Sequence, residues 1–366
     1  MSTSREGFTF DLVGRITWET LLNPVVIIPI VFGIHCGPFN GFTLTDWSPV
    51  LGRIRIILYV SGVCGIFLRV IDLFNRRYNN NWTKNSDWEW QKEIVVITGG
   101  SSGIGASLAQ QLLSRNAHTK IVIIDYMPLT WEPAKMLHVH FYQCDLSDSS
   151  QIRTTCEIIR QEVGQPTVLI NNAGICRGFT VCEGSYADVE VTIRTNLIAP
   201  FLLIKEFLPS MVQSNHGHIV NISSMSALLP PSKVADYAAT KAGLIALHEA
   251  LQLELKYAHK APRVRLSLAI FSFIRTPLFD GETNQSQFWF PLLDVETVSE
   301  TLAETLYGGY GKTIYMPGIM RYVAIMKGGP EWMWRVIREE TRNLGVNFRG
   351  RQKLNPKTGG LTASEV

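Results

Sequence analysis

Tyr237 and Lys241 stand four residues apart in DYAATKAG (236–243), a spacing that puts a phenol and an ammonium on one face of a helix. Tyrosine titrates near pH 10 unaided, too high for a general base at neutral pH, and a neighbouring ammonium favours the phenolate. The pair therefore reads as an acid–base device that exchanges a proton with a substrate hydroxyl. Such spacings are common on solvated helix faces, so the company matters. Ser224 closes the apolar run GHIVNISS (217–224), thirteen residues before Tyr237. A hydroxyl at the C-terminal end of a strand lies where open α/β sheets place their ligands. Ser223 is adjacent, but strand side chains alternate faces, so only one of the two faces the site. Asn196, in RTNLIAP, is a polar residue among apolar neighbours in the helix before.

A second set of residues suits a dinucleotide. TGGSSGIG (98–105) follows a β-like run and opens a helix. There Gly99 allows a tight turn, Gly103 lets the backbone approach a pyrophosphate, and Gly105 permits close helix–strand packing. The spacing is TGxxxGxG rather than GxGxxG, so it needs support, and Asp125 supplies it. Asp125 ends the next strand, twenty residues after Gly105, where a carboxylate binds the adenosine ribose hydroxyls. A carboxylate there repels a 2′-phosphate and Tyr126 brings no compensating cation, so NAD is expected over NADP. NNAG (171–174) closes the fourth strand with small residues that let the backbone approach a cofactor.

These residues need a scaffold, and the chain alternates suitably. EIVVITGG (93–100), KIVIIDY (120–126), HVHFYQCD (138–145), PTVLINNAG (166–174), GHIVNISS (217–224), RVRLSLAIF (263–271) and KTIYMP (312–317) are β-like. Helical periodicity fills the gaps, clearest over 107–115, 189–213, 235–258 and 295–307. Repeated β-then-α units predict a parallel α/β sheet with helices on both faces. A hydrophobic content of 46% argues against disorder. A net charge of +3 without dense Lys/Arg runs argues against a nucleic-acid partner. Six irregularly spaced cysteines show no zinc-ligand pattern and read as buried free thiols, with no metal expected. Sequons at Asn81, Asn221 and Asn284 carry little weight, since Asn221 falls inside a core-like strand.

Ahead of this domain lie a polar tail (1–20) and a hydrophobic region (21–74) containing LLNPVVIIPIVFGIHC (21–36) and IILYVSGVCGIFL (56–68). Neither apolar run reaches the roughly 20 residues of a comfortable span. Three readings remain: a two-helix hairpin, a monotopic anchor, or core helices of a soluble domain. The hairpin would gather Arg5, Arg15, Arg69, Arg76 and Arg77 on one side, with a loop 37–52 that contains no Lys or Arg opposite. Membrane attachment is the favoured expectation. A Trp- and Asn-rich linker (75–91) then leads into a catalytic domain over 92–318, followed by an apolar segment and polar tail (319–366).

Taken together, TGGSSGIG, NNAG, Asn196, Ser224 and YAATK resemble the short-chain dehydrogenase/reductase superfamily. The resemblance implies a Rossmann-type doubly wound sheet of order 3-2-1-4-5-6-7. It implies that Tyr237 is the acid–base, Lys241 tunes it and binds the nicotinamide ribose, Ser224 hydrogen-bonds the substrate oxygen, and Asn196 holds a water that relays protons to Lys241. Cofactor contacts then fall on Thr98, Gly99, Ser101, Ser102, Gly103, Ile104, Gly105, Asp125, Asp145, Leu146, Asn172, Ala173, Gly174, Tyr237, Lys241 and Thr276. Within these, Asp145 would meet adenine and Thr276 the carboxamide. Dimerisation through the helices carrying YxxxK is a further implication.

KEFLPSMVQSNHGHIVNISS (205–224) and the tail IYMPGIMRYVAIMKGGPEWMW (314–334) resemble more narrowly the membrane-anchored retinol and 17β-hydroxysteroid dehydrogenases of endoplasmic reticulum and lipid droplets. That likeness implies a cytosol-facing catalytic domain and a lipophilic substrate: a sterol, retinoid or long-chain alcohol or carbonyl. The Phe-rich stretch 271–293 would form a flap over the pocket, with Met316, Met320, Met326, Trp332, Met333 and Trp334 as adaptable apolar surface. One departure stands out. Phe271-Ser272 replaces the Pro-Gly that the family places after its sixth strand. The alternatives are an NADP-dependent ketoreductase and a membrane-tethered NAD-binding scaffold without turnover.

Overall fold

The computed structural model describes residues 5–36, 48–84, 88–133, 138–278, 285–343, 354 and 359–361. The sequon at Asn284, residues 279–284 of the Phe-rich stretch, much of the loop 37–52 and most of the polar tail lie outside them. The chain divides into two compact units, Met1–Asn79 and Asn80–Val366.

The first unit is helical: α1 (Phe10–Glu19), α2 (Pro24–Cys36) and α3 (Ser48–Asn79). Thr9 caps α1 by accepting the Leu12 N–H at 3.2 Å. α3 runs for 32 residues, far beyond the apolar run 56–68. Its flanking arginines are good helix formers and do not stop it. Over Gly52–Asn79 it is long and apolar enough to cross a membrane, and 6% of its most apolar window is buried. α2 packs on α3 through small residues. A Cβ at Gly62 would lie 3.3 Å from Ile27, and one at Gly65 would strike the Leu22 carbonyl, the close approach that small residues permit between apolar helices. Arg69 donates to that same Leu22 carbonyl and lies 4.6 Å from the Trp18 ring centroid.

The second unit is the α/β domain. Its elements are β1 (Ile94–Thr98), α4 (Gly103–Arg115), β2 (Lys120–Asp125), β3 (Val139–Gln143), α5 (Ser149–Glu162), β4 (Val168–Asn171), α6 (Tyr186–Ile193), α7 (Ala199–Ser214), β5 (Gly217–Ser224), α8 (Ala235–Leu253), β6 (Val264–Phe271), α9 (Val295–Tyr307), β7 (Thr313–Met316), α10 (Met320–Met326) and α11 (Glu331–Glu339). All seven strands pair in parallel, in the order β3-β2-β1-β4-β5-β6-β7. β1, β4 and β6 are buried along their whole length, as expected of strands covered on both faces.

Alternation sorts the side chains into two layers. Val96, Leu169 and Ile219 meet α5, α7 and α8 through Ile159, Phe207 and Leu247. Ile97, Ile170 and Ile222 meet α4 and α9 through Leu108, Leu112 and Leu302. Each such fully buried aliphatic contributes about 1.5–3 kcal/mol. The periodic run 189–213 is broken where the sequence showed one helix. Residues Arg194–Ile198 form a π-turn between α6 and α7. Tyr186–Ser214 is apolar because half of its most apolar window is packed inside the domain.

A clamp closes the end of the sheet opposite the strand C-termini. The buried Arg265 guanidinium donates to the Asn80 and Lys84 carbonyls at 3.1 and 2.8 Å and to the Thr83 hydroxyl at 2.8 Å. Asn80 exchanges two hydrogen bonds with the Gly311 backbone. Asn80, Thr83 and Lys84 of the predicted linker are therefore part of this domain.

Two expectations need correction. Cys64 and Cys182 are exposed, whereas Cys144, Cys156 and Cys176 are buried. The apolar tail divides: Met320 and Trp334 pack with Met225 and Leu228, while Met326, Trp332 and Met333 are exposed. α11 has one face packed and its opposite face open, which the sequence pattern alone did not resolve.

Candidate active site

The glycine loop is stitched to the end of β4. The Thr98 hydroxyl accepts the Asn172 and Ala173 N–H groups at 3.0 Å each. The Asn172 amide returns two bonds, to the Thr98 carbonyl at 2.8 Å and the Gly99 carbonyl at 3.0 Å. Gly99 sits at φ +67, and a Cβ there would lie 2.9 Å from the Ala173 Cα. Only glycine combines that backbone with that contact. Gly105 faces the Gly99 carbonyl as closely, holding α4 against the loop. Ser102 at the N-cap makes no side-chain capping bond. Partly buried Ile104 packs into the layer beneath. Thr276 arrives from the loop after β6, 3.5 Å from a Cβ built on Gly103. The bare glycine backbone at the start of α4 fits the close approach of a dinucleotide pyrophosphate.

Asp125, at the end of β2, is buried, and its carboxylate accepts the Ser101 and Met127 N–H groups at 3.0 and 3.1 Å. Burial pushes its pKa up, and those backbone hydrogen bonds oppose the rise. The Ser101 hydroxyl turns to the Met127 carbonyl at 2.7 Å, so it braces the loop after β2. Asp145 and buried Leu146 follow β3. One Asp145 oxygen accepts the Ser147 N–H at 2.9 Å, and the other accepts the Leu361 N–H at 2.9 Å.

At the end of β5, the Ser224 hydroxyl accepts the Ser226 N–H at 3.2 Å and lies close enough to the Tyr237 phenol, at the start of α8, to affect its titration. Ser223 turns away and donates to the Lys241 carbonyl at 2.8 Å, so alternation assigns the two serines as expected. The buried Lys241 ammonium donates to the Ile222 carbonyl at 2.9 Å and lies 5.5 Å from the Tyr237 ring centroid. Burial lowers the Lys241 pKa to about 8. For Tyr237 burial dominates and pushes the phenol above its usual value, with the nearby Ser224 hydroxyl acting against the rise. The ammonium alone therefore does not bring the phenol into the neutral range, which spacing had suggested. A buried phenolate needs further positive charge beside it.

Fully buried Asn196 lies in the π-turn. Its side chain accepts the Ile175 N–H and donates to the Ile175 carbonyl, both at 2.8 Å. A Cβ on Gly174 would meet the Lys241 ammonium at 3.3 Å and the Asn196 carbonyl oxygen at 3.6 Å. Gly174, Asn196 and Lys241 therefore converge. The wider register joins the serine to the variant dipeptide: Ser224 pairs with Phe271. Phe271 is buried in the layer beneath, and Ser272 continues the chain by donating its N–H to the Met316 carbonyl at 2.8 Å.

Sequence reasoning overlooked two neighbours. Buried Cys176 lies close enough to Tyr237 and Lys241 to affect both. Arg177 is buried beside Asp188 at 2.7 Å, and Asp188 closes a capping box with Ser185 at the start of α6. The sequence contains the box signature SYAD at 185–188, but nothing marks Arg177 as its partner.

The family model for short chain dehydrogenases matches residues 93–287. The chain belongs to that family. Among curated members, Dehydrogenase RED2 of Cochliobolus heterostrophus is 35% identical over 189 residues, covering 52% of this chain and 71% of its own. Epidermal retinol dehydrogenase 2 of Mus musculus is 31% identical over 247 residues, covering 64% and 77%. Among solved structures, 4-hydroxyisoleucine dehydrogenase complexed with NADH is 25% identical at a TM-score of 0.50, covering 61% of this chain and 97% of that one. As a short-chain dehydrogenase, the protein is an NAD(P)-dependent oxidoreductase.

Proposed function

We propose that this oxidoreductase is a membrane-associated, NAD-dependent dehydrogenase that oxidises a lipophilic alcohol of retinoid, sterol or long-chain type. The carrying observation is the buried Lys241 ammonium 5.5 Å from the Tyr237 ring centroid, converging with Gly174 and Asn196. Ser224 holds the substrate hydroxyl against Tyr237. Tyr237 as phenolate takes the hydroxyl proton, and in reduction the phenol returns it. Lys241 stabilises the phenolate and binds the cofactor ribose, and Asn196 fixes the wall formed by Ile175 beside both. When bound, the oxidised nicotinamide would supply the hydride acceptor and a positive charge. Asp125 supports NAD, because a buried carboxylate repels a 2′-phosphate.

The apolar substrate class rests on the named retinol dehydrogenase relative and on α3. The exposed Ile57, Val60, Val63 and Phe67 make α3 a surface that water disfavours and a bilayer accepts. The seat of Arg69 on Leu22 and Trp18 supports the hairpin reading, which gathers Arg15 and Arg69 on one side. Endoplasmic reticulum or lipid droplet, with the catalytic domain in the cytosol, is the corresponding location. A panel of retinols, sterols, fatty alcohols and short polar alcohols, offered with NAD to the purified full chain, tests the reading. Reduced cofactor should form with the lipophilic members. Turnover confined to short polar alcohols would overturn the substrate class.

A further inference from the structure

A third apolar cluster gathers where β5 and β6 end, apart from the two layers that sandwich the sheet. Met225 and Leu228, just after Ser224, pack there with Leu268 and Ile270 of β6, Met320 of α10 and Trp334 of α11. Open α/β sheets take their ligands outside the C-terminal ends of their strands. An apolar substrate held by Ser224 therefore lies against this cluster.

Two hydroxyls interrupt it. Ser226 lies in the turn Met225–Ala227 and is 7% exposed. Its hydroxyl is shielded from solvent and has no hydrogen-bond partner among the described residues. Its N–H donates to the Ser224 hydroxyl at 3.2 Å. Within one serine the N and Oγ are at most about 3.7 Å apart, so the Ser226 and Ser224 hydroxyls lie within about 7 Å of each other. Ser272 carries the second hydroxyl. It extends β6 by one residue, because its N–H bonds the Met316 carbonyl at 2.8 Å just beyond the Phe271–Met316 pair. Strand alternation puts its side chain on the face of Leu268 and Ile270, toward the same cluster. Its hydroxyl is also shielded, with no partner among the described residues. Phe271, the residue before it, is the ladder partner of Ser224.

A buried hydroxyl left unpaired loses its hydration and gains nothing, and an alanine or glycine would avoid that cost. The family resemblance places a glycine where Ser272 stands, so this hydroxyl is an addition of this chain. Apolar walls with a few placed polar groups are the layout of a ligand pocket. We propose that Ser226 and Ser272 form a polar subsite that hydrogen-bonds a second oxygen of the substrate, on the carbon next to the one oxidised. The preferred substrate is then a lipophilic vicinal diol rather than a plain long-chain alcohol. This rests on the dehydrogenase reading above and narrows its substrate class. The span suits adjacent carbons: hydrogen bonds of about 2.8 Å, from Ser224 to the first oxygen and from Ser226 to the second, bridge it.

The test offers NAD with lauryl alcohol and with lauryl glycol, its vicinal diol, to the purified full chain, to Ser226→Ala and to Ser272→Ala. In the parent, kcat/KM for the glycol should exceed that for the alcohol about tenfold or more, because a site built around a hydroxyl rejects the analogue that lacks it. Each variant should cut that ratio about fivefold, the scale of one hydrogen bond. A ratio between two substrates is insensitive to a uniform loss of active protein, and the second variant keeps the test sound if one folds poorly. A parent ratio near one, or a ratio that both variants leave unchanged, would overturn the subsite while leaving the dehydrogenase standing. Turnover of neither compound by the parent would overturn both.

Discussion

Asp125 does two jobs with one carboxylate. It closes the loop after β2 by accepting the Ser101 and Met127 N–H groups, and it presents negative charge where a ribose lies. A replacement that removes both functions would confuse them, so Asp125→Asn is the informative variant: it loses the charge and keeps one of the two acceptor oxygens that close the loop. The ratio of kcat/KM for NADP to that for NAD should rise about tenfold, equivalent to about 1.4 kcal/mol. An unchanged ratio would remove Asp125 from cofactor choice. At this scale the sequence was informative where chemistry restricts residue type. Gly99, Asp125, Ser224, Tyr237 and Lys241 announce themselves because few other residues could serve. Cys176 and Arg177 were silent, because a buried thiol and a buried cation look like any others until their neighbours are known.

Among the elements, strands were legible and irregular helices were not. The buried inner strands are continuous apolar runs that stood out in the sequence, and the half-buried edge strands β3 and β7 were legible from the β-then-α alternation. The π-turn at Arg194–Ile198 has no composition of its own; it carries Asn196, whose side-chain amide bonds the Ile175 backbone. Strand β5 and helix α8 carry a second hidden feature, two buried histidines. Burial lowers the His218 pKa to about 3, with Arg265 and His248 adding to the effect, and lowers that of His248 to about 4. In the unfolded chain both protonate near 6.5. Between those limits the unfolded chain binds more protons, so stability is complete above about pH 6.5 and falls as the pH drops through the window. Melting temperature should therefore decline steadily from about pH 6.5 to 4, and His218→Gln with His248→Gln should flatten that decline. A double variant with the same slope as the parent would show that other groups carry the acid sensitivity.

At the scale of the whole molecule, hydrophobicity has two different meanings. The apolar stretch Tyr186–Ser214 faces a sheet, whereas α3 leaves Ile57, Val60, Val63 and Phe67 bare. Composition alone could not separate these cases, and burial does. If α3 spans a bilayer, the full chain stays with membranes through an alkaline carbonate wash, and Val60→Lys with Val63→Lys and Phe67→Lys releases it. Equal extraction of both would count against the span. The length of α3 was under-read from sequence because arginines end an apolar run without ending a helix. The catalytic claim is tested most directly by Tyr237→Phe, assayed on the best lipophilic alcohol with NADH affinity measured alongside. The account predicts a fall in kcat of about a thousandfold or more, with NADH binding within about twofold of the parent. Turnover near the parent rate would contradict it.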